Sequence, residues 1–305
     1  MKAARLNAWG KELELEDIPQ PEPADDQVLV RVHAASVNPF DAAVQAGYLQ
    51  FMASTPLTMG TDFAGEVVAA GPKVTHVKPG DEVYGLSVLG GGTFAEYLVA
   101  KPNEVVRKPR SLDMLQAAGV PLPAMAAWIS LNDQAQLKSG ERLLVHGASG
   151  NVGTIVVQLA KSAGAYVYGT DIPEKEKHIE ALGLDRFIMA NDGFEGIVRD
   201  NVDVVVDLVG GELMEKSYHV LRPGGRYVTT LLGETPQEEP ERLGIRSMGV
   251  GAYPRADVLT QIADLIDSGK LKVFVNRVFP LEQVNEAMAY RLQTTAPGKV
   301  VVSIA

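Results

Sequence analysis

Leu143-Leu-Val-His-Gly-Ala-Ser-Gly-Asn-Val-Gly153, continued by Thr154-Ile-Val-Val-Gln-Leu-Ala160, is the stretch that decides the fold. A short apolar strand, a turn of small residues and an apolar helical run follow one another. Gly147, Gly150 and Gly153 are spaced by three, and Ala148 stands where the first glycine of a G-x-G-x-x-G turn would be. Small side chains let the backbone approach a pyrophosphate, and the helix behind the turn supplies oriented N–H donors for the anion. Gly147, Ala148, Ser149, Gly150, Asn151, Val152 and Gly153 are therefore read as a dinucleotide-binding loop. Asp171 ends the next strand-like run, 18 residues beyond Gly153, where such units place a carboxylate on the ribose. The plainer alternative is a glycine turn that only packs helix on strand.

Outward from this loop the same grammar repeats. Arg142–His146, Tyr166–Thr170, Val202–Asp207 and Arg226–Thr230 read as strands, and Val152–Ser162, Glu174–Leu182 and Glu212–Leu221 as helices between them. That alternation predicts a parallel sheet covered on both faces, a doubly wound α/β domain. Before about residue 110 the pattern is different. Val28, Val30, Val32 and Ala34 alternate along Asp26–Val37, and short β-like runs at Gly65–Ala70, Glu82–Gly85 and Phe94–Ala100 are separated by turn signals. The first hundred residues form a mainly β domain. Asp257–Asp267 carries apolar residues at helical spacing, and Lys299–Ile304 is again strand-like, returning either to the parallel sheet or to the first domain.

Composition bounds the function. A chain of 305 residues gives a prior of about two domains. Hydrophobic residues at 46% and charged residues at 22% provide a sizeable core. The formal net charge of −10 and the lack of a basic patch argue against nucleic acid and anionic membranes as partners. There is no cysteine, which removes disulfides, thiolate zinc sites and thiol nucleophiles together, and the five histidines show no metal-ligand spacing. The charged N-terminus lacks a signal-peptide core, and the run Ala117–Ile129 is too short to span a bilayer, so a cytoplasmic location is expected. Two motifs are set aside. Tyr97 to Lys101 fits Y-x-x-x-K but lies on a strand-like run before the glycine loop, and Gly147-Ala-Ser-Gly-Asn151 lacks the last glycine of a nucleophile elbow.

The segments VHAASVNPFDAAVQAGY (32–48), GTDFAGEVVAAG (60–71), VKPGDEVYG (77–85), GTFAEYLVA (92–100), PLPAMAAW (121–128), VHGASGNVG (145–153), VVDLVGG (205–211), LRPGGRYV (221–228) and GKVVV (298–302) run in order over nearly the whole chain. Together they resemble the zinc-free quinone oxidoreductase branch of the medium-chain dehydrogenase/reductase superfamily, which includes zeta-crystallin-like proteins. The resemblance implies a GroES-like, mainly β catalytic domain over 1–112, completed by 270–305, and a Rossmann domain over 113–269. Asn38 and Thr61 stand where zinc-dependent members carry ligands, and only eight residues separate Tyr84 from Thr93, too few for a structural zinc lobe. No metal is expected. The resemblance assigns Asn38 and Tyr48 to the nicotinamide pocket as donors to a developing oxyanion, although Asn38-Pro39 also reads as a turn and Tyr48 as a packing residue. Asp41 reads as a turn-fixing residue.

The substrate is expected against Asn38, Tyr48 and the Rossmann edge at Val209-Gly210. The chain departs from its relatives at Ala126, where they carry Thr, and at Asp171 and Ala190, where relatives using NADPH carry polar or cationic groups. Lys175 and Lys177 are the nearby cations. The cofactor is thus NAD(P)H, with Asp171 inclining the choice to NADH. These observations imply a metal-free oxidoreductase acting on a small-molecule quinone or enone. The alternatives are a non-catalytic dinucleotide-binding redox sensor or crystallin-like protein, and a zinc-free alcohol or carbonyl dehydrogenase. An apolar run at Arg226–Leu232 followed by Ser247–Val250 predicts an exposed sheet edge and hence a homodimer.

Overall fold

Val28, Val30 and Val32 do alternate inward along a strand, and they pack with Phe63, Val67, Val83, Leu98 and Val105 in one buried cluster. The structure, a computed structural model, describes residues 1–89, 91–198, 202–231, 233 and 237–304. In chain order the elements begin with β1 (Lys2–Leu6), β2 (Glu14–Asp17), β3 (Val28–Ser36), α1 (Pro39–Gln45), β4 (Leu57–Thr58), β5 (Asp62–Ala70), β6 (Glu82–Leu86), β7 (Tyr97–Ala100), β8 (Val105–Arg107) and α2 (Met114–Ala118). There follow α3 (Pro121–Trp128), β9 (Arg142–His146), α4 (Asn151–Ser162), β10 (Tyr166–Asp171), α5 (Glu176–Glu180), β11 (Arg186–Met189) and α6 (Phe194–Val198). The rest are β12 (Val202–Asp207), α7 (Glu212–Tyr218), β13 (Leu221–Thr229), α8 (Glu238–Arg242), β14 (Arg246–Gly249), α9 (Ala256–Asp267), β15 (Val275–Pro280), α10 (Val284–Gln293) and β16 (Lys299–Ser303).

Two compact units result, one of Met1–Met125 with Tyr253–Ala305 and one of Ala126–Ala252. These limits differ from the division at 112/113 and 269/270 expected from the sequence. The first unit keeps α9 because its apolar face, Val258, Leu259, Ile262 and Ile266, is buried there. The Tyr84 hydroxyl donates to Leu259 O at 2.6 Å, and the Asp267 carboxylate accepts the N–H groups of Arg110 and Ser111 at 3.1 and 2.9 Å. In the first unit β2-β1-β4 form a small antiparallel sheet, and a larger one has the order β15-β16-β3-β5-β6-β8, with β7 also paired to β3. The C-terminal strand therefore returns to the first unit, where β16 runs antiparallel to β3 with Val302 opposite Ala35.

The second unit holds six strands in the order β11-β10-β9-β12-β13-β14, every pairing parallel. Chain order reverses beside β9, which makes the C-terminal ends of β9 and β12 the switch point where ligands bind in such sheets. His146 and Asp207 end these two strands directly opposite one another. Two helices differ from the sequence reading. Pro173 has no N–H and starts a 3₁₀ turn over Pro173–Lys175, so α5 begins only at Glu176. The helix read over 212–221 stops at Tyr218, because Leu221 already pairs with Val202. β14 is the outer strand of the sheet. The run read over 226–232 leaves β13 after Thr229, and its last residue, Leu232, lies outside the described residues. Among the described residues no helix is long and apolar enough to cross a membrane.

Candidate active site and dinucleotide loop

At the switch point of the parallel sheet the loop after β9 is shaped by its glycines. Gly147 has φ +74°, a region that side chains disfavour, and its N–H and that of Ala148 donate to Thr170 O at 3.0 and 3.3 Å. A Cβ on Gly153 would fall 2.2 Å from Gly147 O, so that glycine lets α4 press directly on the turn. Gly150 caps α4 with no side-chain acceptor, and the first turn carries no acidic residue. The N–H groups of Asn151, Val152 and Gly153 are thereby left as donors at the positive end of a 12-residue helix. This is a cradle that fits a pyrophosphate. Val209 lies against the same turn, its Cγ2 3.0 Å from where a Gly147 Cβ would be, so the structure brings Val209 and Gly210 to the glycine loop.

Asp171 ends β10 beside this loop, but its carboxylate is already in use. Oδ2 accepts the Ser149 N–H at 2.8 Å and Oδ1 accepts the Ile172 N–H at 2.9 Å. Each oxygen keeps a lone pair for a further donor. Lys175, in the following 3₁₀ turn, is buried, which pushes its pKa down, while the nearby Asp171 charge pulls it up.

Two residues that the sequence reading did not single out support the loops. Asp207, fully buried, accepts the N–H groups of Val209 and Gly210 on Oδ1, both at 2.9 Å, and the Tyr227 hydroxyl on Oδ2 at 2.6 Å. Burial, reinforced by this carboxylate, pushes the Tyr227 pKa up. The signal was an acid closing the apolar run Val204-Val-Val-Asp207 just before a Gly-Gly pair. His146, also fully buried, contacts Thr170 Oγ1 through Nδ1 at 2.8 Å and Ser217 Oγ through Nε2 at 2.9 Å. Ser217 gives its own proton to Leu213 O, so Nε2 carries the histidine proton and Nδ1 accepts from Thr170. Burial lowers the imidazole pKa to about 4.

The second set of residues belongs to the first unit. Asn38 precedes α1, whose entry is closed by Asp41: the Asp41 Oδ2 accepts the Asn38 backbone N–H at 2.7 Å, and its Oδ1 accepts Thr61 Oγ1 at 2.7 Å. Asp41 thus fixes the turn, and burial raises its pKa to about 6. The Asn38 side chain is 3% exposed and is held elsewhere, Nδ2 donating to Asp62 Oδ2 at 2.9 Å and Oδ1 accepting from the Lys299 ammonium. Tyr48, by contrast, is 72% exposed and stands with Phe51 and Met52 in an exposed apolar rim beyond α1. Among the described residues no hydrogen bond joins its phenol to the Asn38 amide, whose partners are Asp62 and Lys299. Lys299, Asp62 and Ser36 were missed as a group because nothing in a strand-like Lys-Val-Val-Val run announces a contact 261 residues away.

Zinc does not fit this cluster. The ligand-like places hold an amide and a hydroxyl, both hydrogen-bonded, and an ammonium already stands on the amide oxygen. Among the described residues no three His, Asp or Glu side chains come together as a ligand set.

Residues 24–110 match the alcohol dehydrogenase GroES-like domain, and residues 182–302 match the zinc-binding dehydrogenase family. The zebrafish (Danio rerio) mitochondrial NAD(P)H oxidoreductase RTN4IP1 is 30% identical over 92% of this chain and 84% of its own length. The pikromycin polyketide synthase component PikAII of Streptomyces venezuelae is 34% identical over 93% of this chain, which spans only 8% of that protein. Among solved structures, the quinone oxidoreductase from Coxiella burnetii superposes with a TM-score of 0.88 at 30% identity, covering 100% of this chain and 99% of that one.

Proposed function

The chain belongs to the medium-chain dehydrogenase/reductase superfamily, and from that premise we propose that it passes hydride from a nicotinamide to a quinone or an activated alkene without a metal. It is an oxidoreductase, and its family's cofactor is a nicotinamide dinucleotide. The observation that carries the finer reading is that hydrogen-bonding side chains stand at the ligand-like places, Asn38 held by Asp62 and Lys299 and Thr61 donating to Asp41, all buried. Likeness to quinone and NAD(P)H oxidoreductases over nearly whole chains supports it as well.

The residues divide the work. The free N–H groups at the start of α4 hold the pyrophosphate, and Gly147 and Gly153 keep the backbone close enough to do so. Asp171 offers its remaining lone pairs to the adenosine ribose hydroxyls, which favours NADH. When bound, the reduced cofactor supplies two electrons and a hydrogen as hydride. Negative charge then builds on the substrate oxygen. The Asn38 Nδ2–H and the Tyr48 hydroxyl are donors suited to stabilise it, until a proton from solvent completes the reduction. The exposed Phe51 and Met52 beside Tyr48 suit an apolar acceptor.

The test is oxidation of NADH or NADPH, followed by the reduced cofactor's near-ultraviolet absorbance, with phenanthrenequinone or an enal as acceptor and a chelator present. Turnover is expected with at least one acceptor. A protein that binds the cofactor but oxidises it with none would be the sensor or structural protein instead.

A further inference from the structure

Burying an ammonium is costly unless it is paired and hydrogen-bonded, so the surroundings of a buried lysine report what holds it. Lys299 on β16 is 3% exposed, and its stem runs against Gly119, where an added Cβ would sit 3.1 Å from the Lys299 Cγ. The ammonium lies 3.3 Å from Asp62 Oδ2 and donates to Asn38 Oδ1. Asp62, fully buried, also accepts Ser36 Oγ at 2.8 Å, Asn38 Nδ2 at 2.9 Å and the Leu122 N–H at 2.7 Å.

The consequence falls on Asn38. Its amide has the acceptor end on a cation and the donor end on an anion. Turning the amide over would set its NH₂ group against the ammonium and its oxygen against the carboxylate, converting two attractions into two repulsions. Only one orientation is therefore held. In that orientation one Nδ2 hydrogen goes to Asp62, and the other has no acceptor among the described residues. A cation on the amide oxygen also polarises the group and strengthens that remaining donor.

We propose that Lys299 is a positioning residue: anchored on Asp62, its ammonium grips Asn38 by the carbonyl oxygen and so directs the free Nδ2 hydrogen to the substrate oxygen. This rests on the reading of Asn38 as the oxyanion donor. A purely structural Lys299 would only neutralise Asp62, and the two roles separate in the variants.

Asn38→Ala, Lys299→Met and the two combined are assayed with NADH and phenanthrenequinone. Each single change is expected to lower kcat on the order of 10²-fold with the cofactor KM little changed, and the combination to be no slower than the slower single. The second readout needs no cofactor. In protein labelled with [¹⁵N]asparagine, the Asn38 side-chain amide protons are expected to be resolved and slow to exchange in the parent and fast in Lys299→Met. Where Lys299→Met does not fold, Asp62→Asn/Lys299→Met removes both charges and takes its place in both readouts, again slow and fast-exchanging. Parent turnover in Asn38→Ala would overturn the reading of Asn38 and this proposal with it. A slowed Asn38→Ala beside losses that multiply, an unchanged amide signal, or recovery of turnover in Asp62→Asn/Lys299→Met would overturn the role of Lys299 alone.

Discussion

Asp171 carries its charge at the lip of the glycine loop, where a 2′-phosphate would meet it as a like charge. The parent is therefore expected to favour NADH in kcat/KM. Asp171→Ser should move the ratio toward NADPH by about tenfold, roughly 1.4 kcal/mol. The lost hydrogen bond to the Ser149 N–H weakens both cofactors alike and cancels in the ratio. A parent that prefers NADPH, with a ratio untouched by the change, would mean that Asp171 does not read the ribose. His146 gives a pH prediction. Its pKa is lowered from 6.5 to about 4, so between these values the unfolded chain binds a proton that the folded one refuses. Stability from this group is complete above the upper value and is lost as pH falls toward the lower one. Asp41, raised from 3.8 to about 6, acts in the opposite sense over much of that window, since the folded state takes up its proton first. The parent's profile alone therefore mixes the two. His146→Gln should show a shallower acid-side fall in Tm than the parent, and identical slopes would contradict the neutral buried imidazole. At this scale the sequence was legible where chemistry is local, in the glycine loop and Asp171. It was silent where a residue's role comes from a distant partner, as with Lys299 holding Asn38.

At the level of elements, α4 works as an anion site because nothing intervenes between it and the turn it follows. Gly153→Ala would drive a methyl group into Gly147 O, 2.2 Å from the ideal Cβ, and into Ala148, 2.8 Å away. The expected cost is about 1–3 kcal/mol in urea unfolding, together with weaker cofactor binding by fluorescence titration. A variant with parent stability and affinity would show that the close approach is dispensable. Strands β9, β10 and β12 could be read nearly to the residue, because their buried centres appear as short apolar runs such as Val204–Val206, whereas β11 was not read and β13 begins at Leu221, five residues before the run read. Helix ends could not. The 3₁₀ turn at Pro173–Lys175 and the early stop of α7 depend on a missing N–H and on strand pairing, neither of which leaves a periodic signal.

For the whole molecule, β14 leaves the outer edge of the parallel sheet without a strand partner among the described residues, and the Gln237 amide donates to Ser247 O at 3.4 Å. Pairing two such edges about a two-fold axis would continue the sheet, so light scattering at micromolar concentration should give twice the chain mass. A monomer mass would contradict it. The order of segments along the chain was enough to anticipate the parallel sheet and a mainly β first unit, but where the units divide was not legible. That boundary depends on α9 docking through Tyr84 and Asp267, contacts made far apart in sequence.

The central claim is metal-free hydride delivery by this chain to a conjugated acceptor. It is tested most directly by following deuterium from NADH carrying deuterium at both C4 positions into an enal in the presence of a chelator, with the product examined by mass spectrometry. One deuterium should appear at the β-carbon, and Tyr48→Phe should slow its transfer on the order of 10²-fold. Cofactor that binds yet leaves the acceptor unlabelled, or transfer that stops when zinc is removed, would contradict it.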